Sequence, residues 1–117
     1  MKKVLVLDDD TDILQLVNLI LTRDGLQVQT ISRWQEIGDV IREFAPSLIL
    51  MDISLGTADG REICKSLKQD ETTRNIPIIL FSANIEFQKS IDECQAQGFI
   101  AKPFELNTLV NTIKGLI

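Results

Sequence analysis

Short β-branched runs alternate along the chain with longer segments of helical period. The runs are Lys3–Leu7, Gln27–Ile31, Ser47–Met51, Pro77–Phe81 and Phe99–Ala101. Most show little polar alternation, which is the pattern of strands covered on both faces. In the helical segments, Ile13, Leu16, Val17 and Ile20 fall on one face, as do Trp34, Ile37, Ile41 and Phe44, then Ile63 with Leu67, and lastly Leu106, Leu109, Val110 and Ile113. Each stripe needs a sheet to cover. Strand starts near positions 4, 28, 48, 78 and 99 lie 24, 20, 30 and 21 residues apart, which fits one strand plus one crossover helix. The pattern predicts five βα units around a parallel sheet, an α/β fold.

Punctuation agrees with these boundaries. Ser32 with Gln35, and Asp59 with Glu62, have capping-box spacing, while Gly25, Gly98 and Gly115 stand where helices or loops should turn. Pro46 and Pro77 lie at strand starts, where a missing N–H is tolerated. No linker, low-complexity tract or further repeat interrupts the alternation, so residues 1–117 are expected to form one domain.

Composition narrows the chemistry. The 117 residues are 44% apolar, enough for a core without a staple. Twelve basic against seventeen acidic side chains give a net charge of -5, which opposes docking on nucleic acid or an anionic membrane. The longest apolar run is too short for a spanning helix or a signal peptide, so a cytoplasmic protein is expected. Cys64 and Cys94 are expected to be reduced thiols. Histidine is absent, which removes Ser-His-Asp and Cys-His sites and the usual histidine-bearing zinc sites. It also means that the chain cannot itself carry a phosphohistidine.

In a parallel sheet the functional crevice lies beyond the carboxyl ends of the strands. The first run ends in Asp8-Asp9-Asp10, the third in Asp52, the fourth in Ser82 and the fifth in Lys102-Pro103. Each has an ordinary explanation taken singly. Asp10 or Thr11 can cap a helix, an aspartate turns the chain after a strand, a hydroxyl bonds nearby backbone, and lysines are mostly solvated. One cap leaves Asp8 and Asp9 without a structural task. If Asp8, Asp9 and Asp52 share a rim, two like charges ~4 Å apart cost ~4 kcal/mol at an effective dielectric near 20. Lys102 and one divalent cation would neutralise the three acids. Oxygen ligands without imidazole or a nearby thiolate select Mg²⁺ or Mn²⁺. Carboxylates, one metal, one ammonium and one hydroxyl suit phosphoryl transfer.

Val4-Leu5-Val6-Leu7-Asp8-Asp9-Asp10, Leu48-Ile49-Leu50-Met51-Asp52-Ile53, Asp59-Gly60, Phe81-Ser82-Ala83 and Phe99-Ile100-Ala101-Lys102-Pro103-Phe104 together resemble the receiver domain of two-component response regulators, in order and over essentially the whole chain. The resemblance implies a doubly wound, flavodoxin-like five-stranded parallel sheet of order 2-1-3-4-5 with helices on both faces. It implies Asp52 as phosphoacceptor, taking the phosphoryl group from a sensor histidine kinase or a histidine phosphotransfer protein. Asp8, Asp9, Asp52 and the Ser54 carbonyl would hold Mg²⁺. Lys102 and Ser82 would contact phosphoryl oxygens, the bond before Pro103 would be cis, and Phe99 would be the switch aromatic or a plain core residue. Phosphorylation would alter the surface of helix 4, strand 5 and helix 5 toward a downstream protein. The domain would promote only its own phosphorylation and dephosphorylation, and would act on no separate substrate.

The sequence also departs from that pattern. Gly56 stands where many receivers carry proline and should loosen the loop after Asp52. Gln95 stands where glycine is common, and the stretch from Ser82 to Lys102 is about two residues short, placing Ile85 and Phe87 at the surface. Three other readings compete. A phosphatase of the haloacid-dehalogenase type needs an acid where Ser54 stands, and the chain lacks room for a cap domain. A flavin or dinucleotide binder needs glycines where Asp8-Asp9-Asp10-Thr11 stands. A degenerate receiver would show no spectral response at Trp34, which is expected to lie far from Asp52. With the chain stopping after its fifth helix, the expectation is a single-domain regulator or an excised receiver.

Overall fold

The computed structural model describes all 117 residues. In chain order they form β1 (Lys3–Leu7), α1 (Thr11–Arg23), β2 (Gln27–Ile31), a 3₁₀ turn (Trp34–Glu36) leading into α2 (Ile37–Phe44), β3 (Leu48–Asp52), β4 (Ser54–Leu55), β5 (Ala58–Asp59), α3 (Gly60–Gln69), β6 (Ile78–Ser82), a 3₁₀ segment (Ile85–Ser90), β7 (Gly98–Ala101) and α4 (Leu106–Lys114). The main sheet is parallel with order β2-β1-β3-β6-β7. Counted over these five strands alone, the order is 2-1-3-4-5, the doubly wound flavodoxin-like topology. β4 and β5 form a separate antiparallel hairpin directly after β3.

The three central strands are apolar throughout because helices cover both faces. Val4 to Leu7, Leu48 to Met51 and Ile78 to Phe81 are all fully buried. Alternate side chains feed two cores. Val4, Val6, Leu48, Leu50, Ile79, Phe81 and Ile100 meet Leu14, Val17 and Leu21 of α1 and Leu109 and Ile113 of α4. Leu5, Leu7, Ile49, Met51, Ile78 and Leu80 meet Ile37 and Ile41 of α2 and Cys64 of α3. The edge strand β2 keeps Gln27 and Gln29 exposed.

Several local expectations are corrected. In α1, Leu14 and Leu21 are buried while Leu16 is 49% exposed. The helix is apolar at seven of its positions, so the pattern admits neighbouring stripes and packing against the sheet selects one. Leu106 of α4 is likewise exposed. Strands β3 and β6 begin after Ser47 and Pro77 and extend to include Asp52 and Ser82. Asp10 caps α1 and Asp59 caps α3, but Ser32 caps nothing, because a 3₁₀ turn with Arg33 at its N-cap replaces the expected helix start. Gly98 lies inside β7 rather than at a turn. Cys64 and Cys94 are free and buried side by side, the Cys64 thiol donating to the Cys94 carbonyl at 3.4 Å. Burial, aided by Cys94, pushes the Cys64 thiol up to about 12.

The fourth crossover is a 3₁₀ segment, not an α-helix. A 3₁₀ helix rises about 2.0 Å per residue against about 1.5 Å, so a shortened stretch can still cross the sheet. Ile85 is 62% exposed, as expected, but Phe87 is half-buried against the α2/α3-side core. The crossover closes through Gln95, whose φ of 65° puts a non-glycine residue in the left-handed region. The loop after Asp52 folds as a short hairpin. Gly56, with φ 70°, opens the two-residue turn between β4 and β5, a place that glycine fills and proline cannot.

Gly60 fixes the next step of the chain. A Cβ there would lie 2.3 Å from the Asp52 carbonyl oxygen, and the Gly60 N–H donates to the Ile53 carbonyl at 2.7 Å. Gly60→Ala is therefore expected to cost roughly 3 kcal/mol in urea unfolding, because the neighbouring backbone has to move. Gln95→Gly is expected to gain about 0.5–1 kcal/mol in the same assay, the relief of left-handed strain exceeding the added entropy of the unfolded chain. No gain would mean that the left-handed strain at Gln95 does not exceed that entropy.

Candidate functional site

The carboxyl ends of β1, β3, β6 and β7 meet on one rim. Asp8, Asp52 and Lys102 extend the α1/α4-side stripe that begins with Val4–Val6, Leu48–Leu50 and Ile100. Asp8 is fully buried and has two tasks. Its Oδ1 accepts the Asp10 N–H at 2.9 Å, shaping the turn into α1, and its Oδ2 accepts from Lys102 Nζ at 2.8 Å. The absence of a structural task expected for Asp8 is thus corrected. Asp9 is exposed above it, with the Gly56 turn close to its Oδ2.

Asp52 ends β3 and is buried. Lys102 Nζ lies 3.4 Å from its Oδ2, bridging the two buried carboxylates. The lysine is placed by β7: its N–H donates to the Ser82 carbonyl at 2.9 Å, and the Lys102–Pro103 peptide is cis. The ammonium also sits over the Phe81 ring, 4.4 Å from its centroid. Ser82 is buried, and its Oγ accepts the Asn84 N–H at 3.0 Å, which leaves the hydroxyl hydrogen free to donate. Ser54 is exposed at the start of the hairpin, its N–H directed at the Asp52 carboxylate. Phe99 stands apart from the acids, half-buried against the α2/α3-side core and paired in register with Leu80.

The charges explain the proton affinity of Asp52. Its carboxyl is pushed up to about 6, first by burial and then by the Asp8 charge, against the pull of Lys102 and the Ser54 N–H. Oxygens of Asp8, Asp9 and Asp52 all lie within 4.8 Å of one another. One ammonium cannot balance three carboxylates. The donor set is oxygen alone, and its surplus negative charge fits a hard divalent cation.

Two neighbours were not singled out by sequence. Phe81 could have been found by strand alternation, since it shares the stripe of Asp52 and Lys102. Arg61 follows Asp59-Gly60 and pairs with the Asp59 carboxylate, holding it below the usual carboxylate range. The same guanidinium stacks 4.3 Å from the Phe87 ring centroid and donates to Ser90 Oγ at 3.3 Å. It ties the hairpin to the 3₁₀ segment. Trp34, expected to be remote, lines a groove of about 570 Å³ together with Thr57, Ala58 and Asp59 of the hairpin region.

Comparison with known proteins agrees with this geometry. The chain is 33% identical over 118 residues to the phosphate regulon transcriptional regulatory protein PhoB of Pseudomonas aeruginosa, covering 99% of this chain and 52% of that protein. It spans about half the length of the curated relatives it matches. Among solved structures, a response regulator from Chloroflexus aurantiacus superposes with a TM-score of 0.91 at 27% identity, covering 98% of this chain and 96% of that one. The chemotaxis response regulator CheY4 of Vibrio cholerae gives 0.89 at 25% identity, covering 100% and 99%. The sequence pattern of the response regulator receiver domain matches residues 4–114. Since that match runs from β1 to the end of α4 and takes in every strand of the sheet, the chain belongs to the response regulator receiver domain family.

Proposed function

We propose that this domain, taken as residues 1–117, is the phosphoacceptor of a two-component phosphorelay, with Asp52 as the residue that carries the phosphoryl group. The observation that supports it best is the meeting of Asp8, Asp9 and Asp52 oxygens within 4.8 Å beneath a lysine that bridges two of them. The donor is a phosphohistidine on a sensor histidine kinase or a histidine phosphotransfer protein, since residues 1–117 hold no histidine of their own. An Asp52 oxygen attacks phosphorus, the P–N bond breaks, and the imidazole leaves with the electron pair. The product is an acyl phosphate on Asp52.

Asp9 and Asp52, with Asp8 and the Ser54 carbonyl, would hold Mg²⁺, for which Mn²⁺ can substitute. The ion would supply neutralising charge to the phosphoryl oxygens. Lys102 turns its ammonium from the carboxylates to a phosphoryl oxygen, and Ser82 donates its free hydroxyl hydrogen to another. These contacts draw the end of β6 toward Asp52, and Phe99 turns inward in response. The surface formed by the 3₁₀ segment Ile85–Ser90, β7 and α4 then presents a different face to a downstream protein. This is a population shift, and the partner must bind one state better than the other. The domain promotes only its own phosphorylation and dephosphorylation. No helix is long and apolar enough to cross a membrane, and the proposed setting is the cytoplasm, with neither nucleic acid nor lipid as a direct partner.

Incubation with a small acyl phosphate and Mg²⁺ is expected to raise the intact mass by one phosphoryl group, and Asp52→Asn should gain none. An adduct that survives this substitution refutes the assignment.

The metal-free protein gives a second test. Asp52 binds its proton more tightly folded than unfolded, with a value of about 6 against 3.8, so the folded state holds the extra proton between these limits. Stability therefore falls as pH rises through that window. With a chelator present, Asp52→Asn is expected to be more stable than wild type by on the order of 1–3 kcal/mol above pH 7. The advantage should fade below about pH 4, where both forms are neutral. Urea unfolding across pH measures it, and a pH-independent difference would contradict the buried-charge account.

A further inference from the structure

Phe81 is the one aromatic residue among the fourteen buried members of the α1/α4-side core. Its neighbours on the same stripe are aliphatic: Val6 in β1, Leu50 in β3, Ile79 in β6 and Ile100 in β7. An aliphatic side chain would serve packing here as it does there. The ring instead stands level with the acid cluster, because β3 and β6 pair Asp52 with Phe81. Lys102 Nζ lies 4.4 Å from the ring centroid while it reaches Asp8 at 2.8 Å and Asp52 at 3.4 Å.

An ammonium is a compact charge on a flexible four-carbon stem, and two carboxylates on one side would leave it free to swing outward to water. The negative face of an aromatic ring attracts a cation without demanding a fixed direction. Phe81 is fully buried and so cannot follow the lysine outward. We propose that Phe81 is a positioning residue for the phosphoryl-transfer step, its ring face holding the Lys102 ammonium at the depth where it can pass from the Asp8 and Asp52 carboxylates to a phosphoryl oxygen. The inference rests on the phosphoacceptor reading and adds to it a residue that touches neither phosphoryl group nor metal.

The test replaces Phe81 alone with phenylalanines carrying one, two and three ring fluorines, which drain the negative face while nearly preserving shape, and adds Phe81→Leu as the ringless limit. Phosphorylation by a small acyl phosphate with Mg²⁺ is followed by intact mass, and the thermal midpoint is recorded for each variant. A second readout needs no phosphorylation: the proton shift of the Lys102 methylene next to the ammonium, moved upfield by the ring current in wild type. The expected result is that shift, lost in Phe81→Leu, with the rate falling stepwise by about tenfold across the fluorinated series. Thermal midpoints should stay level, as a purely structural role for the ring would not produce a rate that tracks its electrons.

Absence of the upfield shift in wild type would overturn the contact itself. A rate that is flat across the series, with the shift present, would overturn the positioning role while leaving Asp52 as acceptor. A wild type that takes no phosphoryl group, shift intact, would sink the phosphoacceptor reading and the proposal with it.

Discussion

Three carboxylates held close together at the end of a buried sheet repel one another, and the structure is built around the ammonium that offsets them. Asp8 and Asp52 are both taken out of water, and Lys102 is the one protein cation that reaches both. Removing Lys102 would leave two uncompensated buried carboxylates, which is costly. The lysine is itself only as well placed as β7. That strand pairs with β6 through Ile79–Gly98 to Ser82–Ala101, and the next backbone bond, Lys102 N–H to the Ser82 carbonyl, brings the side chain over the rim. Sheet pairing and site electrostatics are one constraint seen from two ends.

The chain leaving Asp52 is governed in the same way. Gly60 passes so near the Asp52 carbonyl that no side chain fits, and Gly56 turns the hairpin that brings the loop close to Asp9. Arg61 then connects this hairpin to Phe87 and Ser90 through Asp59. The loop next to Asp52 and the segment beyond Ser82 are therefore mechanically joined by one guanidinium.

Much of this was legible in the sequence because it depends on regular periods. Short, β-branched apolar runs such as Val4–Leu7 fit strands covered twice, and the residue after each run then lies on the rim. The apolar pattern fails where it is redundant or where chemistry is local. In α1, seven apolar positions left the stripe undetermined, and Leu16 was placed inside when it is outside. The 3₁₀ crossover, the Gln95 backbone and the Gly56 turn each depend on how few residues must span a fixed distance, which hydrophobic period does not encode. Asp8 shows the opposite error: a residue read as free of structural work in fact organises the first turn. The bearing of Phe81 on Lys102 was hidden because a buried phenylalanine in an apolar strand draws no notice.

The bridge between Lys102 and Asp8 joins residues 94 positions apart, so during translation the two appear at very different moments. At roughly 5–20 residues per second, the first aspartates wait about 5–20 s for their counter-ion to be made. Over that interval β1, β2 and β3 can already pair while the acid pocket stays unbalanced. The pocket is completed only when the sheet's last strand docks, so a half-made chain on the ribosome carries Asp8 and Asp52 without the ammonium that bridges them.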